Sequence, residues 1–274
     1  SYSSLSRTPG GVENGPLTVI DALLSILGDN GTLIMPTFNY DFLRGEIWDI
    51  RNTPSQMGIL TELVRKDARS KRMFHPIYSV AAIGRFADEI ENVQSDDCFG
   101  KTTIFKKLRD WNSKILVIGV PYSKSFTFLH HCEQMANVDY RYLKEFSGTA
   151  IDQSGNPHEM NITMFVRDVD KGVVLDFEPI GSILDEKVAN IRQIGLSTVR
   201  LLDVNQAYDV SIDAIQNFSG PGLTYQIESK EKAIDWLPSL KPMSSLKDVF
   251  EENWPDEREE GYIHRHPHRG RGAR

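Results

Sequence analysis

Leu17, Ile20, Leu23, Leu24 and Leu27 recur at helical spacing from Pro16, and Gly28 follows the run. This predicts an amphipathic helix that the glycine ends. Gly31-Thr-Leu-Ile-Met-Pro36 is short, apolar and closed by proline, which predicts a buried strand. Ser55 is placed to N-cap a helix in which Leu60, Leu63 and Val64 share a face, with Lys66, Arg69 and Lys71 toward the end where the dipole favours cations. Ser79 to Gly84 predicts another strand, and short amphipathic helices are expected from Phe86 and over Ile104 to Trp111. Lys114-Ile-Leu-Val-Ile-Gly-Val120 has the most continuous apolar character and is expected to be a buried strand. It leads through Pro121 to Ser125 into a helix carrying Thr127, His130 and Glu133.

Beyond Tyr140, alternating segments around Asp152-Gln-Ser-Gly-Asn156 predict a hairpin. A helix is expected near Ile183 to Gln193, a strand over Thr198 to Leu202 and a helix from Asn205. At the other end, Ser1 to Ser6 reads as the end of a strand entering the glycine-rich turn Pro9 to Gly15. Strands alternating with helices around a hairpin insertion define an α/β fold: a mixed central sheet flanked by helices, with a small hairpin insertion. The pattern fades from about Ser219. Pro221, Pro238, Pro242 and Pro255 interrupt it, and Glu251 to Glu260 is strongly acidic. The expected organisation is a domain over 1–218, an irregular extension over 219–260 and a disordered basic tail over 261–274.

With 274 residues, 40% hydrophobic and 25% charged, the composition excludes disorder of the whole chain and allows a sizeable core without staples. Two cysteines, Cys98 and Cys132, make no disulfide framework, so a reducing, cytoplasmic location is expected. No run approaches the ~18–20 apolar residues of a membrane span, and Ser1 to Arg7 lacks the regions of a signal peptide. No membrane partner is therefore expected. The net charge of −7 argues against general binding to nucleic acid, which needs clustered cations. The last 14 residues hold four arginines and no acid, so residues 1–260 carry −11. That balance favours a cationic small partner.

Three segments concentrate candidate chemistry. Ser3-Ser-Leu-Ser6, followed by glycines and a helix start, offers hydroxyls and free backbone N–H groups. Both an anion site for a pyrophosphate or polar cofactor arm and a plain capped turn fit that pattern. His75 precedes Pro76, which biases it toward extended backbone at the entry of a strand. A ligand-facing imidazole and a satisfied structural histidine both fit there. On the third segment, Thr127-Phe-Leu-His-His-Cys-Glu133, residues 127, 130 and 133 share a helical face. A carboxylate beside an imidazole fixes its tautomer and raises its basicity, as a general base requires, although a surface ion pair has the same spacing. Adjacent His130 and His131 diverge by about 100° on a helix and cannot share one ion. With no HExxH or CxxC pair, no metal is expected.

Together these segments resemble the aminoglycoside 3-N-acetyltransferases, also called antibiotic acetyltransferases. The matching motifs are Ser3-Ser-Leu5, the glycines of 10–15, Gly31-Thr-Leu-Ile-Met-Pro-Thr-Phe38, Thr53-Pro-Ser55, His75-Pro-Ile-Tyr-Ser-Val-Ala-Ala82, Phe99-Gly-Lys-Thr-Thr-Ile-Phe105 and Thr127-Phe-Leu-His-His-Cys-Glu133. Their order is preserved over roughly residues 1–215. The resemblance implies transfer of an acetyl group from acetyl-CoA, as co-substrate, to an amino group of an aminoglycoside or related amino sugar, on a fold distinct from the GNAT acetyltransferases. It implies His130 as general base oriented by Glu133, with Thr127 a candidate oxyanion donor. It further implies Ser3, Ser4, Leu5, Ser6 and Thr37 as the CoA-binding set and His75, Tyr78 and Ser79 in the substrate cleft, with a homodimer left open.

Two positions depart from the family pattern: Tyr78 stands where many members carry His, and Phe126 where many carry Asn. Both bear on the acceptor. The family's first motif usually follows a helix and a strand, so a domain lacking them is expected here. The other readings are a degenerate member that binds CoA or a sugar without turnover, acylation of an amino sugar of surface-polysaccharide biosynthesis, and acyl transfer to water or a hydroxyl.

Overall fold

A computed structural model describes Leu5, Val12, residues 15–218 and residues 220–235. Residues 9–11, 13 and 14 of the glycine-rich turn and Ser3, Ser4 and Ser6 lie outside these residues, as does the expected disordered tail. Leu5 is helical and buried where a strand end was expected, in keeping with the helix propensity of leucine.

The helix α1 (Pro16–Leu27) starts on a proline that presets its φ and ends at Gly28, whose φ is +59°. It packs with α2 (Ile59–Lys66) over a small apolar cluster in which Ile20, Leu33, Val64, Ala81 and Ile83 are buried. Beneath lies a three-stranded sheet in the order β1 (Thr32–Pro36), β4 (Val80–Gly84), β3 (Lys71–Arg72), antiparallel throughout. Ser55 does not cap α2, which begins after Gly58. Its hydroxyl lies 2.7 Å from Thr61 Oγ1 and its N–H donates to Glu62 at 2.9 Å, so the serine closes the turn ahead of the helix.

The hairpin of β6 (Arg141–Ile151) and β7 (Pro157–Arg167) is the longest pairing, with Arg141 opposite Arg167 and Ile151 opposite Pro157. Its turn forms where expected: Asp152 Oδ1 accepts from the N–H groups of Ser154 and Asn156, both at 2.9 Å. The short strand β2 (Trp48–Asp49) adds to β6 in parallel. The main core lies between this hairpin and the helices and includes Phe42, Trp48, Ile77, Phe99, Leu129 and Ile162. The short helices α3 (Ala87–Glu91) and α4 (Ile104–Asp110) lead toward β5 (Lys114–Ile118).

The α/β class is observed, with its strands divided among small sheets. In one of these β5 is an edge strand antiparallel to β10 (Ser197–Asp203), which also pairs with β9 (Asn190–Ile194). An edge strand is covered less completely than an interior one, and Leu116 in β5 is 39% exposed despite the apolar run. The helix expected near Ile183 to Gln193 is α6 (Glu178–Lys187), and residues 190–194 are strand. Gly195, at φ +58°, turns them into β10 through a tight hairpin, where β-branched Ile191 and Ile194 suit a strand. Asp203 then N-caps α7 (Val204–Asn217) by accepting from the N–H groups of Asn205 and Gln206.

Residues 220–235 differ from the expected irregular extension. β11 (Tyr225–Ile227) pairs with β8 (Val173–Leu175), α8 (Lys230–Asp235) follows, and Leu223 and Thr224 are buried. The backbone pairing stabilises a segment whose opening Gly220-Pro-Gly222 obscures any hydrophobic period.

Gly84 has φ +126°, and a Cβ there would lie 2.3 Å from the carbonyl oxygen of Gly31, a backbone atom that cannot swing away. Gly84→Ala is expected to cost about 2–4 kcal/mol of stability, measured by urea unfolding. An unchanged midpoint would contradict the close approach of β4 to the turn before β1.

Candidate active site

The helix α5 (Phe128–Ala136) is buried on most of its circumference: Phe128, Leu129, His131, Cys132 and Glu133 are all inaccessible. The i, i+3 spacing places His130 and Glu133 on one face, with Nδ1 of His130 2.9 Å from Oε2 of Glu133. The helix ends at Asn137 in the left-handed conformation, φ +52°. Asparagine tolerates that region, and the chain turns back so that Tyr140 and Arg141 come level with the dyad. Arg141 Nη2 lies 2.9 Å from the same Oε2. The Tyr140 hydroxyl donates to Oε1 at 2.9 Å and lies 2.6 Å from the Thr224 hydroxyl.

Glu133 therefore has no exposed surface but three partners. Burial alone would raise its pKa; the Arg141 charge and the bonds from His130 and Tyr140 outweigh it and hold the carboxyl below the usual range. The His130 side chain is 15% exposed. Phe99 and Phe177 flank its ring at centroid distances of 5.0 and 5.2 Å. Burial, reinforced by Arg141 against the pull of Glu133, pushes His130 down to about 4, so the imidazole is neutral at pH 7. Its Nε2 edge has no hydrogen-bond partner among the described residues. A neutral imidazole with one nitrogen anchored and the other open can accept a proton from a bound group.

Thr127 occupies the N-cap position of α5, half-buried. Its carbonyl accepts from the N–H of His130 at 3.0 Å, while its hydroxyl makes no capping bond. Tyr78 is buried, and its ring meets Phe99 at 4.7 Å, one ring removed from His130. The other sequence candidates face the interior. Nδ1 of His75 accepts from the N–H groups of Ile77 and Tyr78 at 3.1 and 3.0 Å, giving a structural turn that Pro76 enforces. Thr37 and Ser79 share a 2.8 Å hydroxyl contact over the buried Arg72, whose guanidinium donates to carbonyls of Ile50, Thr53 and Thr37. These three therefore support the site from behind. Leu5 is buried, and Ser3, Ser4 and Ser6 lie outside the described residues.

Sequence reasoning missed Arg141, Tyr140, Phe99 and Phe177. Arg141 begins an alternating strand, where an arginine ordinarily reads as a solvated residue; only its burial, 3% exposed, separates it from one. Phe99 is held by its neighbours: His131 Nδ1 donates to its carbonyl at 2.6 Å, and its N–H donates to Asp97, which Gln134 also reaches at 2.8 Å. His131 thus points away from His130, as the helical divergence required. Among the described residues no cluster of three His, Cys, Asp or Glu is arranged to hold a metal ion, and no helix is long and apolar enough to cross a membrane. Phe126, at one of the two positions that depart from the family pattern, is buried against Tyr122 and Phe128.

This fold is that of the aminoglycoside acetyltransferases, a class separate from the GNAT enzymes. A crystal structure of aminoglycoside acetyltransferase AAC(3)-Xa matches with a TM-score of 0.65 at 24% identity, over 76% of this chain and 82% of the other. A structure of AAC-IIIb in a binary complex with CoASH matches with a TM-score of 0.65 at 21% identity, over 79% and 89%. The chain belongs to the aminoglycoside 3-N-acetyltransferase family, whose model matches residues 2–216. Aminoglycoside N(3)-acetyltransferase IV of Salmonella sp is 30% identical over 156 residues, half of this chain and 57% of the relative. The SPbeta prophage-derived aminoglycoside N(3')-acetyltransferase-like protein YokD of Bacillus subtilis is 29% identical over 150 residues, 46% of this chain and 55% of the relative. The aligned part thus spans little more than half the length of these curated relatives.

His75, His130 and His131 are each held down to about 4, burial being the first cause in every case. An unfolded histidine titrates near 6.5, so between about pH 4 and 6.5 the unfolded chain binds protons that the folded chain refuses. Stability is expected to be full above this window and to fall as pH drops through it, by about 1.4 kcal/mol per pH unit for each histidine. Urea midpoints at pH 7.5, 6.5, 5.5 and 4.5 measure this. A flat profile from 6.5 to 4.5 would contradict the burial of neutral imidazoles.

Proposed function

We propose that the chain is an acetyl-CoA-dependent N-acetyltransferase whose acceptor is an amino group of an aminoglycoside or related amino sugar. The observation that carries the reading is the dyad: His130 Nδ1 anchored 2.9 Å from a fully buried Glu133, with the Nε2 edge open, in a member of this family. The CoA complex of AAC-IIIb supports the choice of acyl donor. The −11 charge of residues 1–260 supports a cationic acceptor.

In this reading the thioester supplies the acetyl group. The acceptor nitrogen bonds to the acyl carbon and the carbon–sulfur bond breaks. The proton leaving the amine passes to Nε2 of His130 and departs with the CoA thiol, leaving the imidazole neutral again. Glu133 balances the imidazolium while it exists and keeps the ring from rotating. The Thr127 hydroxyl, free of capping duty at the start of α5, is the side-chain donor offered to the developing oxyanion. Phe99 and Phe177 pack beside the ring. A dry, low-dielectric flank strengthens both interactions.

The test is thiol release from acetyl-CoA in the presence of a panel of amino sugars, with mass spectrometry of the products. Amine-dependent release and a product heavier by one acetyl group are expected. His130→Ala is expected to lower kcat by about 10²–10⁴ with CoA binding retained by calorimetry. Release that no amine accelerates above the water background would overturn the reading, and normal turnover in His130→Ala would remove this residue from the mechanism.

A further inference from the structure

The nitrogen of His130 that faces the protein has two neighbours: besides Glu133 Oε2 at 2.9 Å, Arg141 Nη2 lies 3.0 Å from Nδ1. Arg141 Nη2 is also 2.9 Å from Oε2, so one carboxylate oxygen, one imidazole nitrogen and one guanidinium nitrogen form a closed triangle. Only certain proton placements satisfy it. A guanidinium only donates. If Nδ1 were bare, it would accept from Nη2, but its lone pair would then face the Oε2 lone pairs at 2.9 Å, an acceptor against an acceptor. If Nδ1 carries the proton, both Nδ1–H and Nη2–H converge on Oε2, which has lone pairs for both, and Nε2 is left bare. The other oxygen agrees with this solution. Tyr140 donates to Oε1 and takes its own hydrogen bond from Thr224, so three donors meet one ionised carboxylate.

The remainder of Arg141 is fixed by the fold. Its Nη1 donates to the carbonyl of Phe165 at 2.9 Å, across the hairpin. Arg141 and Arg167 stand directly opposite in the β6/β7 register and both are buried. Like charges in that position repel, and Glu133 is the carboxylate that compensates them. The charged groups acting on His130 are Glu133 from its own helix, Arg141 at the start of β6 and Arg167 at the end of β7. From the loop before α4 and from the residue before α6 it meets the rings of Phe99 and Phe177.

We propose that Arg141 is the positioning residue of the dyad: its guanidinium holds Glu133 ionised and aimed so that His130 keeps the Nδ1–H tautomer and presents a bare Nε2, and its charge keeps the imidazole from being protonated before an acceptor binds. Without Arg141 the buried Glu133 charge would be balanced by capturing a proton on His130, and a protonated imidazole is no base. The depressed pKa of His130, to which Arg141 contributes after burial, agrees with this. The inference rests on the dyad reading above, yet its readout requires no turnover.

The experiment is ¹⁵N NMR of the histidine-labelled full chain, wild type and Arg141→Gln, from pH 3.5 to 8, with His130→Asn to assign the resonance. In the wild type the His130 ring is expected to be neutral with the proton on Nδ1 at pH 5 and above. In Arg141→Gln its titration midpoint is expected to rise by at least one pH unit. Arg141→Lys, which keeps the charge but loses the planar fork, is expected to keep the low midpoint while lowering kcat, with KM for acetyl-CoA unchanged. A wild-type ring protonated on Nε2, or midpoints that coincide in wild type and Arg141→Gln, overturns the proposal whatever the chain acetylates. If Arg141→Gln does not fold, a wild-type ring protonated on Nε2 still overturns the proposal, as does an unchanged kcat in Arg141→Lys. Absence of amine acetylation with the expected tautomer and shift would sink the functional reading alone.

Discussion

A carboxylate with no exposed surface must be met on every side by donors, because an ionised group removed from water and left unpaired costs several kcal/mol. Glu133 imposes that requirement on this fold. The helix α5 brings its oxygens inward, the left-handed turn at Asn137 brings Tyr140 and Arg141 beside them, and Thr224 arrives from the strand β11 segment to complete the Tyr140 bond. The segment from His130 to Arg141 and Thr224, far along the chain, are thus joined through one charge. The requirement also explains why residues 220–227 join the folded body, where sequence pattern alone suggested an irregular extension: losing Thr224 would leave the Tyr140 hydroxyl short of a partner.

The same charge governs the chemistry. An exposed His–Glu pair three residues apart is a common and weak surface contact. Here burial, Arg141 and the flanking rings turn it into a neutral imidazole with one anchored and one open nitrogen. The surrounding histidines do different work by the same physics. His131 fixes the carbonyl of Phe99, and His75 closes the turn ahead of β4, so each helps hold the aromatic wall that separates His130 from the core. Tyr78 packs on Phe99 in this wall, whereas Phe126 is buried against Tyr122 and Phe128.

What was legible in the sequence was local. The 3.6-residue period gave α1, the Asx-type turn gave the 141–167 hairpin, and the i, i+3 spacing gave the His130–Glu133 face. What was not legible depended on partners distant in the chain. The apolar run of β5 gives no sign that it is an edge strand, and residues 190–194 become strand only because β10 pairs with them. Arg141 lies eight residues past Glu133 in a strand of mixed polarity, so its burial follows from the hairpin packing against α5 and from no feature of its own sequence neighbours. His75, Ser79 and Thr37 carry motif-like residue types, yet their roles depend on Arg72 and on backbone groups that no spacing rule reveals.

The central claim, that Glu133 and Arg141 are coupled as one buried charge pair on which the site is built, is tested most directly by a double-mutant cycle on stability. The cycle uses Glu133→Gln, Arg141→Gln and the two together, unfolded in urea at pH 7.5. Glu133→Gln alone leaves the two buried guanidiniums of Arg141 and Arg167 facing each other without their carboxylate, and Arg141→Gln alone leaves Glu133 to be balanced by a proton on His130, whereas the double variant keeps only the buried charge of Arg167, so the account predicts a coupling of about 2 kcal/mol or more, with the double variant more stable than the sum of the singles. Single effects that add to within about 0.5 kcal/mol would contradict it.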